Sequence, residues 1–156
     1  MNKLREIVRF LVAHYPHKKE LSKARLTKMV YIADWKCALT YGYQLTDIRW
    51  QFNHYGPYVD EVIDAAYEDP EIDVVSTTNM YGHPKVLINS KLHHNDFRLN
   101  QGEIHILRHV IDETVNMYWD EFIKYVYSSY PITSQNRYSE LDLPKLAQQY
   151  HSLQRT

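Results

Sequence analysis

Residues Ser22 to Tyr41 leave the chain little choice of architecture. Met29, Val30, Tyr31, Ile32, Ala33, Trp35, Cys37, Ala38 and Leu39 follow one another with only Asp34 and Lys36 between them. A helix on a protein surface carries one apolar stripe, whereas a helix that is apolar nearly all round is packed on several sides. This stretch therefore reads as a central, buried helix. Gly42 is placed to end it, because glycine accepts a left-handed conformation cheaply. Ile48 to Asn53 then alternates, with Ile48, Trp50 and Phe52 on one side and Arg49, Gln51 and Asn53 on the other, as a half-buried strand does. In His54-Tyr55-Gly56-Pro57 the proline is suited to open a helix at its first position. That helix is expected to run to Tyr67, burying Val59, Val62, Ile63 and Ala66, with Asp60, Glu61 and Asp64 outside.

Around this centre, Asn2 is expected to cap a first helix reaching His14, with Leu4, Ile7, Val8 and Leu11 as its buried stripe and Lys3, Arg5 and Arg9 in water. Tyr15 to Leu21 is a connector broken by Pro16, and Tyr43 to Asp47 a turn without apolar pattern. Ile72 to Thr78 and Lys85 to Ser90 have β-forming composition and flank a loop containing Gly82 and Pro84. Together with residues 48 to 53 they suggest a three-stranded antiparallel sheet. A helix from Asn100 or Gln101 to Asn116 shows the stripe Ile104, Leu107, Ile111 and Val115. Another, from Trp119 to Ser129, is expected to bury Trp119, Phe122, Ile123 and Val126. Tyr130 to Asp142 reads as loop, and Leu143 to Leu153 as a last helix with Pro144 at its start. The expected fold is α+β and mainly α-helical: a central buried helix, surrounding helices and a small three-stranded antiparallel sheet. No linker or repeat divides it, so residues 1–156 are read as one domain.

Composition removes several classes of function. With 44% hydrophobic and 24% charged residues the chain can build a core. No apolar run approaches the roughly 20 residues of a membrane helix. Arg5, Glu6 and Arg9 interrupt the first apolar segment, so it does not read as a signal peptide, and the expected compartment is the cytoplasm. One cysteine, Cys37, excludes an internal disulfide and a cysteine-rich zinc site, and mid-helix it reads as a small buried hydrophobe. The four glycines, at 42, 56, 82 and 102, are too scattered for a phosphate-cradling loop. No serine or cysteine sits in a nucleophile pattern. The expectation is a protein that is not an enzyme and has no cofactor. His105 and His109, four apart with Asp112 or Glu113 a turn on, have metal-compatible spacing, but they lie on the solvated side of their helix. His93-His94 is a weaker pair of the same kind. No metal is expected.

Net charge is −1, unevenly spread: residues 1–28 hold eight Lys or Arg against Glu6 and Glu20, and Asp60 to Asp73 holds seven acids. Lys18, Lys19, Lys23, Arg25 and Lys28 cluster at the start of the central helix and open an alternative reading, a nucleic-acid-binding regulator. The slightly acidic whole and the long, proline-broken link before the helix speak against it. Asp34 needs a partner if its helix is buried. Arg49 and His54 are the candidates, as a buried tie between strand and helix or, alternatively, as a functional acid. Fourteen tyrosines suit a surface that must bind.

The string Leu26-Thr27-Lys28-Met29-Val30-Tyr31-Ile32-Ala33-Asp34-Trp35, followed by Tyr41-Gly42, Leu45-Thr46, Tyr55-Gly56-Pro57 and Glu61-Val62, resembles the Panacea domain, the Soc-type antitoxin domain of bacterial and phage toxin–antitoxin systems. The resemblance covers residues 21 to about 67, weakens over the hairpin and partly returns over Leu99 to Pro131. It implies a mainly helical α+β domain that neutralises a co-encoded toxin, often in a prophage setting, by covering it or by handing it to a protease. The matching positions are Tyr31, Asp34, Trp35, Tyr41, Gly42, Tyr55, Gly56, Pro57 and Glu61, with Arg49 beside them. They are expected to define the scaffold. The stretches individual to this chain are the hairpin loop and the tyrosine-dense Tyr118 to Tyr138. Tyr118, Trp119, Tyr125 and Tyr127 are the candidate contacts for the toxin.

Overall fold

A computed structural model describes residues 3–91 and 97–154. The expected Asn2 cap and the His93-His94 pair lie outside them. Helix α2 (Lys23–Tyr41) is the axis of the fold, and its residues 25–35, 37 and 38 are all buried. The Ser22 side chain caps it by accepting from Arg25 N–H at 3.2 Å. Gly42, at φ 84°, ends it with its N–H on Ala38 O. Helices α1 (Lys3–His14), α3 (Glu61–Glu68), α4 (Gln101–Thr114) and α7 (Leu143–Gln154) pack around it. A 3-10 turn at Lys18–Glu20 precedes it, and short helices α5 (Trp119–Tyr127) and α6 (Tyr130–Ser134) complete the helical part. The buried apolar residues form one cluster running from Ile7 to Ala147. The fold is thus α+β and mainly helical, with a small three-stranded antiparallel sheet, as expected.

That sheet has other members than those expected. Its order is β2 (Gly56–Tyr58), β1 (Trp50–Asn53), β5 (Glu140–Leu141), both neighbours antiparallel to β1. The hairpin β3 (Ile72–Thr78) and β4 (Pro84–Ser90) stands apart as a two-stranded sheet. The reason is a shortage of edges. A strand has two, and β1 spends one on β2 and the other on β5, with Phe52 N–H on Ser139 O at 2.8 Å. The hairpin instead meets the start of α2 through Ile88 N–H on Leu21 O at 3.2 Å.

The same pairing explains why the helix expected from Pro57 begins only at Glu61. Gly56 turns back at φ 95°, and Pro57 lies opposite Phe52 in an edge strand, where its missing N–H costs nothing. Segment 130–142, expected as loop, contains α6 and β5. In the turn 43–47, Leu45 and Thr46 are buried. The buried face of α4 is Ile106, Leu107, Val110, Ile111 and Thr114, rotated from the expected stripe, so that Ile104 and Val115 are only half-buried. A side-chain and backbone exchange between Asn100 and Glu103 caps that helix. On α1, the basic residues expected in water are engaged. Lys3 pairs with Glu103, and Arg9 grips Asp69 at 2.5 and 2.9 Å, with Arg5 at 3.3 Å. Asp69 itself is buried. Burial alone would raise its pKa, yet the Arg9 and Arg5 guanidiniums and Glu71 N–H hold it well below the carboxylate range. This joint fixes α1 to the corner where α3 turns into β3.

Candidate functional site

The motif residues gather first around Asp34, which is fully buried. Its partners are not Arg49 and His54. Thr46 N–H donates to Oδ1 at 3.0 Å, while the Thr46 hydroxyl and Trp50 Nε1 donate to Oδ2 at 2.5 and 2.8 Å. Gln44, beside it, spans the turn by donating to Thr46 O and Ile48 O. The alternation of β1 decides this outcome. It turns Trp50 inward and Arg49 outward, where Arg49 pairs with Glu140 at 2.6 Å, and His54 lies exposed in the turn near the Tyr138 hydroxyl. Burial pushes the Asp34 pKa up to about 6, against the pull of these donors. Every close partner is a donor, the turn 44–48 closes over the acid, and the arrangement ties that turn and strand to α2.

The remaining motif positions divide between the core, the turns and the exposed ends of helices. Tyr31 is buried edge-on to Trp50 with its hydroxyl on Ser129 Oγ at 2.8 Å. Trp35 stacks on Tyr130 and meets Tyr150 edge-on. Tyr41 lies half outside, stacked on Tyr43. Tyr55 is exposed at the tip of the β1–β2 turn, and Glu61 is exposed at the start of α3. Gly56 does more than turn the chain: a Cβ there would stand 2.5 Å from Tyr127 Cε1, so the hairpin and α5 meet through the absence of a side chain.

Of the four candidate contacts, two are spoken for. The Tyr125 hydroxyl donates to Glu113, which also holds Lys36 at 2.9 Å, and Tyr127 covers Gly56. The other two reach the surface: Tyr118 is 74% exposed, and Trp119, leaning on the Phe122 ring, is 43% exposed, which corrects the expectation that Trp119 is buried. Both stand at the start of α5 and share one groove with the tip of the β3–β4 hairpin, where Met80 and Tyr81 are 87% and 77% exposed. Between these two stretches opens a groove of about 760 Å³. Met80, Tyr81 and Lys85 of the hairpin line it together with Tyr118, Trp119 and Asp120 of α5 and its cap, and with Glu20, Ser22 and the nearly buried Arg25 from around the start of α2. The hairpin loop and the tyrosine-dense segment, read separately in the sequence, thus form one surface. Met80 and Tyr81 carry no motif; their one signal is two consecutive large apolar residues in an otherwise polar loop.

The basic segment dissolves as a surface. Arg25 and Lys28 are buried, and the Lys18 ammonium sits on the Val12 and Ala13 carbonyls at the end of α1. Lys19 and Lys23 are left exposed. His109 pairs with Glu113 at 3.4 Å, and no three metal-binding side chains converge among the described residues. No helix among them is long and apolar enough to cross a membrane.

Compared with known proteins, residues 26–131 match the family model described as antitoxin SocA-like, Panacea domain. No curated protein and no solved structure matches the chain.

Proposed function

The chain belongs to the SocA-like antitoxin family defined by the Panacea domain, and from this premise we propose that it is the antitoxin of a bacterial or prophage toxin–antitoxin pair, acting in the cytoplasm as one domain of residues 1–156. It neutralises a co-encoded toxin protein by binding it, without catalysis or cofactor. The toxin seats in the groove between the hairpin tip and the start of α5.

One observation carries the assignment of the surface. Met80, Tyr81, Tyr118 and Trp119 are large, exposed and directed to one groove, while Tyr31, Asp34 and Trp35 are consumed by the core. Exposed apolar side chains gathered at one groove mark an interaction site more than singly scattered ones do. Aromatic residues at the centre of an interface supply most of its energy, about 2 kcal/mol or more each. Of the toxin candidates named from sequence, Tyr118 and Trp119 are retained and Tyr125 and Tyr127 become supports.

Co-expression with the product of the neighbouring reading frame is the test. The chain restores growth against that product, and Tyr118→Ala with Trp119→Ala abolishes the rescue while the protein still folds. In hydrogen exchange, residues 79–85 and 118–122 gain protection when the toxin is bound; unchanged exchange there refutes the groove. Rescue that persists in a host lacking its cytoplasmic ATP-dependent proteases identifies simple blocking, and rescue lost there identifies delivery for degradation.

A further inference from the structure

The groove is lined by a buried cation that enters no ion pair among the described residues. Arg25 is 2% exposed and lines the groove. Arginine side chains carry a permanent positive charge in proteins. Nη2 donates to Thr114 O at 2.8 Å and Met117 O at 2.7 Å. Among the described residues Nε has no well-aligned hydrogen bond, although the Tyr15 hydroxyl, buried and likewise without one, lies near enough to feel the guanidinium charge. Nη1 makes none among the described residues, and Arg25 enters none of the ion pairs found among them. Phe122 and Tyr15 present ring faces to the cation at 4.5 and 5.6 Å. Two carbonyls and two rings soften the burial of the charge, but a guanidinium is built for a two-pronged acid, and buried charges are normally paired.

Two further features point the same way. Helix α5 begins at the groove with Tyr118 as its N-cap, and Tyr118 makes no capping hydrogen bond, so first-turn N–H groups lack a side-chain acceptor from the cap. Lys85 also lines the groove. Glu20 and Asp120 are also present, but both are exposed and screened by solvent, unlike Arg25.

We propose that the groove receives a single acidic side chain, an Asp or Glu within an apolar segment of the partner protein, whose carboxylate pairs with Arg25 while its neighbours lie against Trp119, Tyr118, Tyr81 and Met80. Glu20 and Asp120 select against longer runs of negative charge, and so against polyacidic tracts and nucleic acid. For the identity of the partner this rests on the antitoxin reading; for the chemistry of the groove it does not.

Panning a random peptide library against the full chain tests it. The enriched peptides carry one Asp or Glu flanked by apolar or aromatic residues, and changing that acid to its amide weakens binding about tenfold or more. Arg25→Met removes the charge and keeps the stem. Because Arg25 also braces the turn after α4, Lys85→Glu is the companion variant: Lys85 is half-buried, with its ammonium donating only to Lys19 O at 2.9 Å among the described residues, and the change weakens the same peptides several-fold, more at low salt than at high. Enriched peptides without acids, no enrichment at all, binding indifferent to Lys85→Glu, or tighter binding to a single-stranded oligonucleotide than to any peptide would each overturn the proposal. The two readings separate cleanly. Neutralisation of the toxin with acid-free panned peptides removes this inference alone, and acidic peptides without neutralisation remove the antitoxin reading alone.

Discussion

Asp34 ties the turn 44–48 and β1 to α2, and the sign of its contribution to stability follows from its burial. Burial raises its pKa to about 6 in the fold from an ordinary value near 3.8. The folded state therefore binds a proton more tightly than the unfolded chain, and stability from this group is fully present below about pH 4 and lost as pH rises to about 6. The linkage amounts to about 3 kcal/mol across that window. Urea unfolding at pH 4.5 and pH 7 measures it: the native protein loses stability between the two, and Asp34→Asn removes that part of the slope. An equal slope in both proteins would show that Asp34 is not perturbed. Asp34→Ala costs about 3–5 kcal/mol at pH 7, because Thr46 N–H, the Thr46 hydroxyl and Trp50 Nε1 lose their acceptor together. Asp69 has the opposite sign. Its pKa is held low, so its contribution is present above about pH 4 and disappears as pH falls further.

At the scale of elements, the two turns that follow α2 and β1 are both glycine-dependent, for different reasons. Gly42 has φ 84° and open space around it, so Gly42→Ala pays only the left-handed strain, about 1–2 kcal/mol. Gly56 has φ 95° and Tyr127 against it, so Gly56→Ala adds a clash to the strain and costs clearly more. Thermal unfolding ranks the two. Gly56→Ala combined with Tyr127→Ala recovers the clash but not the strain, and so regains only part of the loss relative to Tyr127→Ala alone. Equal costs for the two glycine variants would show that α5 does not press on the β1–β2 turn. The central helix, the hairpin strands and the last helix are all legible in the sequence, since hydrophobic period and capping residues are local. Their pairing is not. The expected sheet of residues 48–53 with the hairpin is as compatible with β-composition as the observed one, and it loses because Glu140-Leu141 takes the second edge of β1. Two residues in a loop give no periodic signal by which to anticipate that.

For the whole molecule, the charge asymmetry of the sequence is mostly internal. The basic N-terminal segment neutralises acids of the same chain, Arg9 and Arg5 on Asp69 and Lys3 on Glu103, or is buried, as are Arg25 and Lys28. Without a contiguous basic stripe among the described residues, duplex DNA is expected to bind weakly and to be insensitive to loss of Lys18, Lys19 and Lys23. A mobility-shift titration in low salt checks this; a steep salt-dependent affinity abolished by changing those three would restore the nucleic-acid reading.

The sequence by itself determined the class of fold, the buried axis from Ser22 to Tyr41 and the family, because each is written in the spacing of neighbouring residues. Which groups face one another emerges in three dimensions alone. Asp34 meets Thr46 and Trp50 and leaves Arg49 aside, because one strand's alternation assigns inside and outside. Arg25 lines a groove together with Met80-Tyr81 and Tyr118-Trp119, stretches that lie far apart along the chain. Long-range juxtaposition follows from how strand edges and helix faces are used up across the whole chain, and no local pattern encodes that.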